Sequence, residues 1–280
     1  MKSARFPSYG VAGVCVILLA EVYLFLGVTP VGVFFTPIVW TGYILLIDAL
    51  TYRRRGASLI STRGREFVAM LIWSVCCWLV FEGYNLHLHN WEYTGLPDNL
   101  IVRTIGYVWS FATIFPAILE TMEFIEPMFP LRQGIPNPVS PRLRAALVSL
   151  GSVCLGLPLL LSPETAFYLF ALVWVGFSFL IDPLLYSIDG KSVLHQYEMG
   201  SYRRIYALAI SGIVCGVLWE FWNYWSIAKW KYLLPASFAG PKIFEMPLLG
   251  YLGFIPFAFE CYVLQELLVA MFPSLRPQRA

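Results

Sequence analysis

Two short motifs place an acid and an amide together in apolar sequence, Glu82-x-x-Asn85 and Glu220-x-x-Asn223. On a helix, a spacing of three residues brings both side chains of a motif to one face. A carboxylic acid that apolar surroundings keep neutral can protonate an alkene, and a neighbouring amide can orient it. The motifs therefore predict acid–base chemistry, with Glu220 as a proton donor and Asn223 as its orienting partner.

Aromatic residues accompany both motifs. A Trp-x-Tyr sequence follows each of them, and two tryptophans flank Glu220. Aromatic faces can stabilise a carbocation, so the pattern predicts a cavity with an acid at its floor and aromatic rings above. The alternative is a hydrogen bond that locks the helix, beside an interfacial aromatic belt. The predicted substrate-binding residues are Trp91, Tyr93, Trp219, Trp222, Trp230 and Tyr232.

A proline precedes a second pair of acids, in Pro116-x-x-x-Glu120 and Pro256-x-x-x-Glu260. Proline kinks a helix and can open a polar pocket beside it, although a kink can also serve packing alone. Acids inside apolar segments that contain no Lys or Arg are costly, which favours a function for them. The predicted catalytic residues are Glu82, Asn85, Glu120, Glu220, Asn223 and Glu260.

Asp48 and Asp182 lie near the ends of apolar segments, one turn before Tyr52 and Tyr186 respectively. An ionised acid close to the aqueous surface has a low desolvation cost. We therefore expect this pair to fix the following loops rather than to react.

The motifs recur in one order along the two halves of the chain. Residues 39–58 align without a gap on 173–192, and ten of those 20 positions are identical, including Trp40 with Trp174 and Asp48 with Asp182. Shared acids, Asn, Trp and Pro in a common order predict a tandem repeat.

The composition predicts an all-α integral membrane protein. Of the 280 residues, 59% are hydrophobic and 13% charged, and a membrane helix needs about 20 apolar residues. Eight transmembrane helices are expected as two four-helix units: 1–130, a Pro-rich linker at 131–143, and 144–280. The predicted spans lie near 10–28, 33–51, 67–84, 101–121, 145–162, 166–186, 204–224 and 246–269.

Basic residues predict the orientation. Fifteen of the 19 Lys and Arg fall before the first span, in alternate links and after the last span. The positive-inside rule then places both termini in the cytoplasm, as in a bacterial inner-membrane protein. The bilayer is the expected partner, and a net charge of +2 gives no indication of nucleic-acid binding.

Metal chemistry has little support in the sequence. His87-x-His89 follows the first Glu-x-x-Asn motif, but the second half has Trp225 and Ile227 at those positions. All six cysteines lie in apolar segments without a CxxC pair. The sequence predicts no metal site and identifies no cofactor.

The second half resembles a known family in its plan: an acid in a Trp-rich helix end, then Trp-x-Tyr, then a proline-led helix. This plan is similar to the small membrane lycopene cyclases of the heterodimeric type, which are built from two homologous membrane halves. That family has Pro-x-Glu-Glu where this chain has Pro247, Leu249 and Gly250. The resemblance implies a shared helical architecture and a lipophilic isoprenoid ligand, such as a carotenoid.

Three functions fit these observations. The first is a membrane enzyme that performs acid–base chemistry on a lipid-soluble isoprenoid. The second is a non-enzymatic protein, either a scaffold or assembly subunit of a membrane complex or a lipid- or pigment-binding carrier. The third is a secondary transporter, which parallel repeats permit.

The predicted topology can be tested by accessibility labelling. Ser61→Cys and Thr94→Cys lie in successive links, so a membrane-impermeant thiol reagent should label them from opposite sides of the membrane. Labelling of both from one side would reject the eight-span arrangement with cytoplasmic termini.

Overall fold

Eight helical segments dominate the computed structural model, which describes residues 4–130, 134–188, 190–235 and 240–276. All eight are long and apolar enough to cross a membrane, and each coincides with one predicted span. The helical class and the number of apolar segments are therefore confirmed for the described residues. The segments are Ser8–Phe25, Phe35–Arg55, Gly64–Leu88, Leu100–Met128, Pro141–Leu160, Pro163–Ser187, Arg203–Trp225 and Leu248–Met271.

Shorter elements connect these segments. The first half contains α1 (Ser8–Phe25), α2 (Thr29–Val33), α3 (Phe35–Arg55), α4 (Leu59–Thr62), α5 (Gly64–Leu88), β1 (Trp91–Thr94), α6 (Leu100–Ala112) and α7 (Ile114–Ile125). The second half contains α8 (Pro141–Leu160), α9 (Pro163–Ala166), α10 (Phe170–Ser187), α11 (Val193–Glu198), α12 (Arg203–Trp225), β2 (Lys229–Tyr232), β3 (Lys242–Ile243), β4 (Met246–Pro247) and α13 (Phe254–Met271).

Helix α8 begins inside the predicted linker. Residues 134–140 have neither helix nor strand, and α8 begins at Pro141, so the predicted boundary at 143 falls within its first turn. Ser140 caps the helix by accepting the Leu143 N–H at 3.1 Å. Residues 131–133 of the linker and the chain ends, 1–3 and 277–280, lie outside the described residues.

Closely spaced glycines pack the first two long helices of each half. An ideal Cβ at Gly13 of α1 would lie 2.5 Å from the Gly42 carbonyl oxygen of α3. An ideal Cβ at Gly151 of α8 would lie 2.4 Å from the Leu180 nitrogen and 2.8 Å from the Gly176 oxygen of α10. Small residues allow this backbone approach, which is common between membrane helices.

Asp48 and Asp182 each hold the short helix that follows their own helix. Asp48 accepts the Ile60 N–H at 2.8 Å. Asp182 accepts the Val193 N–H at 2.6 Å and the Leu194 N–H at 2.8 Å. Both carboxyl groups satisfy backbone donors at the ends of α4 and α11, which is the structural role that their position predicts.

The fourth apolar segment of each half is interrupted. In the first half, α6 ends at Ala112 and α7 begins at Ile114. In the second, a 3-10 turn over Leu248–Gly253 precedes α13. Pro116 and Pro256 each stand third in the new helix, where an N–H would have no intrahelical partner. The kinks expected from these prolines are therefore breaks between helical pieces.

Helices α7 and α13 lie in the middle of the bundle. They contact each other, and each also packs against helices of both halves. The α7 neighbours include α3, α5 and α12, and the α13 neighbours include α10, α12 and α5. Helix α1, by contrast, presents large exposed apolar side chains, among them Leu18 and Val22, which is the surface a lipid-facing helix would have.

The all-α prediction misses a β-ribbon that joins the two halves. Strand β1 pairs with β2 in antiparallel register, with Trp91 opposite Tyr232 and Tyr93 opposite Trp230. Both Trp-x-Tyr motifs therefore lie in β-strands, where the sequence predicted no strand. Periodicity could not show this, because each strand has only four residues and its partner lies in the other half.

Charged side chains pair at the end of the bundle away from the ribbon. Both terminal nitrogens of Arg276 donate to Glu266, at 2.8 and 2.9 Å. The Arg276 Nε–H donates to the buried Glu66 at 3.2 Å. Glu266, an acid within the last predicted span, thus has a cationic partner from outside the spans, because the segment after α13 folds back over the helix end.

The glycine contacts predict unequal effects of two similar substitutions in α8. Gly151→Ala should lower the free energy of unfolding by about 1–3 kcal/mol, because the new methyl group meets the α10 backbone. Gly156→Ala meets nothing within 4 Å, so it should be neutral or stabilising by up to about 1 kcal/mol. Unfolding in detergent by increasing SDS measures both. Equal losses would contradict the close packing of α8 on α10.

Candidate ligand-binding cavity

A cavity of about 410 Å³ lies between the two halves, next to the ribbon. Strands β1 and β2 and helices α3, α5, α6, α7, α10, α12 and α13 all contribute to its wall. Fourteen of the 37 described lining residues are aromatic. The aromatic lining residues are Phe34, Trp40, Trp78, Trp91, Tyr93, Tyr107, Phe111, Phe170, Trp174, Trp219, Trp230, Tyr232, Phe254 and Phe257.

The two Trp-x-Tyr motifs form one wall of this cavity. Alternate residues of a strand point to the same side, and all four aromatic residues of the motifs line the cavity. The residues between them, Glu92 and Lys231, are paired across the ribbon and exposed on its other side. The ribbon thus separates the cavity from the surroundings at this end of the bundle.

The two asparagines hold the ribbon rather than the acids. The Asn223 side chain accepts the Trp230 N–H at 3.0 Å and donates to the Trp230 carbonyl at 2.9 Å. Asn85 accepts the Trp91 N–H at 3.1 Å and donates to the Trp91 carbonyl at 2.9 Å. The expected orientation of Glu220 by Asn223 is therefore replaced by a backbone contact, since a carboxamide offers a donor and an acceptor together.

Each motif glutamate lies behind a tyrosine of the cavity wall. The Tyr232 hydroxyl donates to Glu220 at 2.8 Å and accepts the Trp230 indole N–H at 2.9 Å. The Tyr93 hydroxyl donates to Glu82 at 2.5 Å. Burial, together with the adjacent carboxyl group, raises the pKa of both phenols well above the ordinary value. Both hydroxyls therefore keep their protons at neutral pH.

The environments of the two motif glutamates differ. Glu82 is partly exposed, and one of its oxygens also accepts the indole N–H groups of Trp78 at 2.9 Å and Trp91 at 3.2 Å. Glu220 is fully buried, and its second oxygen has no hydrogen-bond partner in the described chain. Each glutamate thus has one oxygen without a hydrogen bond to any described residue, and only in Glu220 is that oxygen shielded from water.

The other predicted acids lie away from the cavity wall. Glu260 is fully buried and accepts the Phe177 N–H at 3.1 Å. Glu120 is 1% exposed, and both of its oxygens lack hydrogen-bond partners among the residues that the structure describes. The described lining includes no glutamate. None of the four predicted glutamates therefore faces the cavity in the described structure.

Five of the six predicted substrate-binding residues do line the cavity, the exception being Trp222. Its indole N–H donates to Glu21 of α1 at 3.0 Å, and its ring packs edge-on against Trp40 at 5.0 Å between centroids. Glu21, which has no counterpart in the second half of the sequence, is thereby given a partner from the second half.

Sequence reasoning missed the role of Trp40 and Trp174. Both line the cavity, one from each half. Their identity in the alignment of 39–58 with 173–192 was a usable signal, since a tryptophan retained at both positions is large and specific. The alignment alone could not show that the two face a common space, because they lie on different helices.

The charged residues in the described lining are Arg103 and Lys229. Lys229 pairs with Glu245 at 3.5 Å, and the Arg103 Nε–H donates to the Pro97 carbonyl at 2.9 Å. Within the described residues, no three His, Cys, Asp or Glu side chains are grouped as a metal site. His87 instead donates to the Leu161 carbonyl at 3.0 Å.

Comparison with family models, with curated proteins and with solved structures finds no match to this chain. The site must therefore be interpreted from its own geometry.

The asparagine contacts predict a graded loss of stability. Asn223→Ala should lower the free energy of unfolding by about 1–3 kcal/mol, because the Trp230 N–H and carbonyl lose their partner beside a fully buried position. Asn85→Ala removes the same two bonds and a third from the Asn90 N–H. Its position is partly exposed, so water can replace them and the loss should be smaller. SDS-induced unfolding compares the two variants, and a larger loss for Asn85→Ala would contradict this account.

Proposed function

We propose that the chain is a multi-pass membrane protein whose two halves are tandem repeats related by a pseudo-twofold axis along the membrane normal. The ribbon register supports this, because the exchange of Trp91 with Trp230 and of Tyr93 with Tyr232 maps the strand pairing onto itself. The Asp, Asn and Gly contacts also recur at corresponding positions. In this arrangement the ribbon faces away from the cytoplasm and both termini lie within it.

The function that the geometry supports best is binding of a lipid-soluble polyisoprenoid in the cavity. The aromatic cavity between the halves is the observation on which this proposal depends. Its volume of about 410 Å³ is within the usual range for ligand pockets. Flat aromatic faces suit a conjugated chain, and the resemblance to membrane lycopene cyclases points to the same ligand class.

A long ligand also needs an opening through which its chain can extend from the cavity. Leu249 and Val102 line the cavity and are 72% and 36% exposed. They lie on the interrupted segments of the second and first halves, whose outer surfaces are apolar. One end of a polyisoprenoid could therefore lie among the aromatic rings while its chain continues into the lipid.

Quenching of tryptophan fluorescence tests this function in nanodiscs. β-Carotene should quench the tryptophan fluorescence of the protein saturably, because Trp40, Trp174 and other indoles line the cavity. The quenching should exceed that of a soluble tryptophan analogue mixed with empty nanodiscs. Ser110→Phe places a ring in the cavity wall and should weaken binding at least about tenfold.

Gly83→Phe is the matched control, because it adds the same ring at an exposed position of α5 with nothing within 4 Å. Its quenching curve should match that of the unmodified protein. Non-saturable quenching, or equal curves for both variants, would reject the cavity as the binding site.

A second candidate function is acid–base chemistry on the bound isoprenoid, and the Tyr232–Glu220 contact favours it. In this scheme a neutral Glu220 donates its O–H to the phenol oxygen, which frees the Tyr232 O–H to turn into the cavity. The phenol proton then passes to an alkene carbon, whose π bond breaks as the C–H bond forms. Glu220 gives its own proton to the phenol oxygen in the same step. The negative charge then rests on Glu220, and the cation on the substrate lies between aromatic faces.

Substitution of the proton donor separates an enzyme from a carrier. Glu220→Gln keeps an acceptor for Tyr232 but cannot supply a proton, so it should abolish product formation, a fall of at least about 10²-fold. Lipid extracts of cells with and without the protein, compared by mass spectrometry, give the product. β-Carotene binding by the variant should be retained, which controls for folding. Full activity in Glu220→Gln would remove Glu220 as the donor.

A further inference from the structure

Three helices begin at the cavity wall. The starts of α3, α7 and α13 all contribute lining residues, among them Pro37, Ile114 and Phe254. The N–H groups of Phe115 and Phe254 are already paired, with the Ser74 hydroxyl and with the preceding 3-10 turn. The start of a helix still carries a partial positive charge. Three such ends around one apolar space favour a ligand atom that carries partial negative charge.

Two buried polar side chains of α3 line the same cavity without a partner. Thr36 is 7% exposed and Trp40 is fully buried. Neither the Thr36 hydroxyl nor the Trp40 indole N–H has a hydrogen-bond partner among the described residues. Their spacing of four residues places them on one face of α3. Buried donors are normally satisfied, so an unpaired pair on the wall of a cavity indicates a missing acceptor.

The polar atoms of the wall belong mainly to the first half. Thr36 lines the cavity where the corresponding position of the second half has Phe170. In the same way Ser110 corresponds to Gly250, and Thr113 to Gly253. A symmetric hydrocarbon would have no use for this difference between the halves. An oriented ligand with oxygen at one end would require it.

We propose that Thr36 and Trp40 form an oxygen subsite, which binds the carbonyl oxygen of a ketone- or quinone-bearing polyisoprenoid. The inference rests on the proposed binding function and narrows its ligand from any apolar chain to an oxygenated one. An indole N–H and a hydroxyl are neutral donors, and together they can satisfy both lone pairs of a carbonyl oxygen. The aromatic rings of the wall then enclose the rest of the ring that bears the oxygen.

Two carotenoids with the same carbon skeleton test the subsite. Canthaxanthin carries a ketone on each end ring, whereas β-carotene carries none. In nanodiscs, canthaxanthin should bind at least about tenfold more tightly, since each good hydrogen bond in a dry site contributes up to about that factor. Thr36→Val and Trp40→Phe should each lower the ratio of canthaxanthin affinity to β-carotene affinity by about tenfold, because each removes one donor to the carbonyl oxygen.

Trp109→Phe is the matched control, because its indole N–H donates to Thr41 at 2.9 Å and the residue does not line the cavity in the described structure. Its affinities for both carotenoids should stay at the unmodified values. Thr36→Val keeps the shape of the side chain, so it remains informative even where Trp40→Phe fails to fold.

The outcomes separate the two proposals. Equal affinity for the two carotenoids, with no effect of either α3 variant, would overturn the oxygen subsite and leave isoprenoid binding intact. A water molecule that satisfies both donors predicts that same result. Saturable binding of neither carotenoid would overturn the proposed function and the subsite with it. An equal loss of both affinities in Thr36→Val would also overturn the subsite, because it would show a general effect on the cavity.

Discussion

The carboxamides of Asn85 and Asn223 are the contacts on which the arrangement of the cavity depends. Each one pairs with the N–H and the carbonyl of a tryptophan just after its own helix, and so replaces the strand neighbour that this residue would otherwise need. Because both strand backbones are held in this way, β1 and β2 can pair with each other across the two halves. Four aromatic side chains are thereby turned towards one space. Without the amides, the backbone of both segments would need water.

Backbone satisfaction also explains why the cavity lies beside helix breaks. A continuous helix presents only side chains to its surroundings, and its own N–H groups are used internally. The breaks before α7 and α13 expose the first turns of two helices at mid-bundle, and the start of α3 adds a third. Proline at the third position sacrifices no intrahelical hydrogen bond, because an N–H there would have no acceptor within the helix. The wall thus includes the partly positive starts of three helices.

The two halves use similar scaffolds with different surroundings for their acids. Glu82 accepts hydrogen bonds from three donors and is partly exposed, whereas Glu220 is fully buried and one of its oxygens has no hydrogen-bond partner among the described residues. The wall near α3 and α6 carries hydroxyl groups where the second half has Phe or Gly. Recurrent positions therefore set the shape of the cavity. The positions that differ give it a polar end, which is the asymmetry on which the proposed oriented ligand depends.

The sequence by itself determined the number of apolar helices, their approximate bounds and the residues that recur in both halves, because long apolar runs and shared polar residues are local signals. It also indicated five of the tryptophan and tyrosine residues of the cavity wall. It did not determine what the polar side chains contact. Asn223 was expected to orient Glu220 and instead binds the backbone of Trp230. Glu266, within a predicted span, pairs with Arg276 from the segment after it. Trp40 and Trp174 were matched in the alignment, which could not show that they line a common cavity. The Asn223–Trp230 contact spans only 7 residues, but it forms where β2 pairs with β1 of the other half. The common space of Trp40 and Trp174 lies between helices far apart in the chain. Only tertiary packing brings such segments together, and a buried donor or acceptor then takes whichever partner lies within reach.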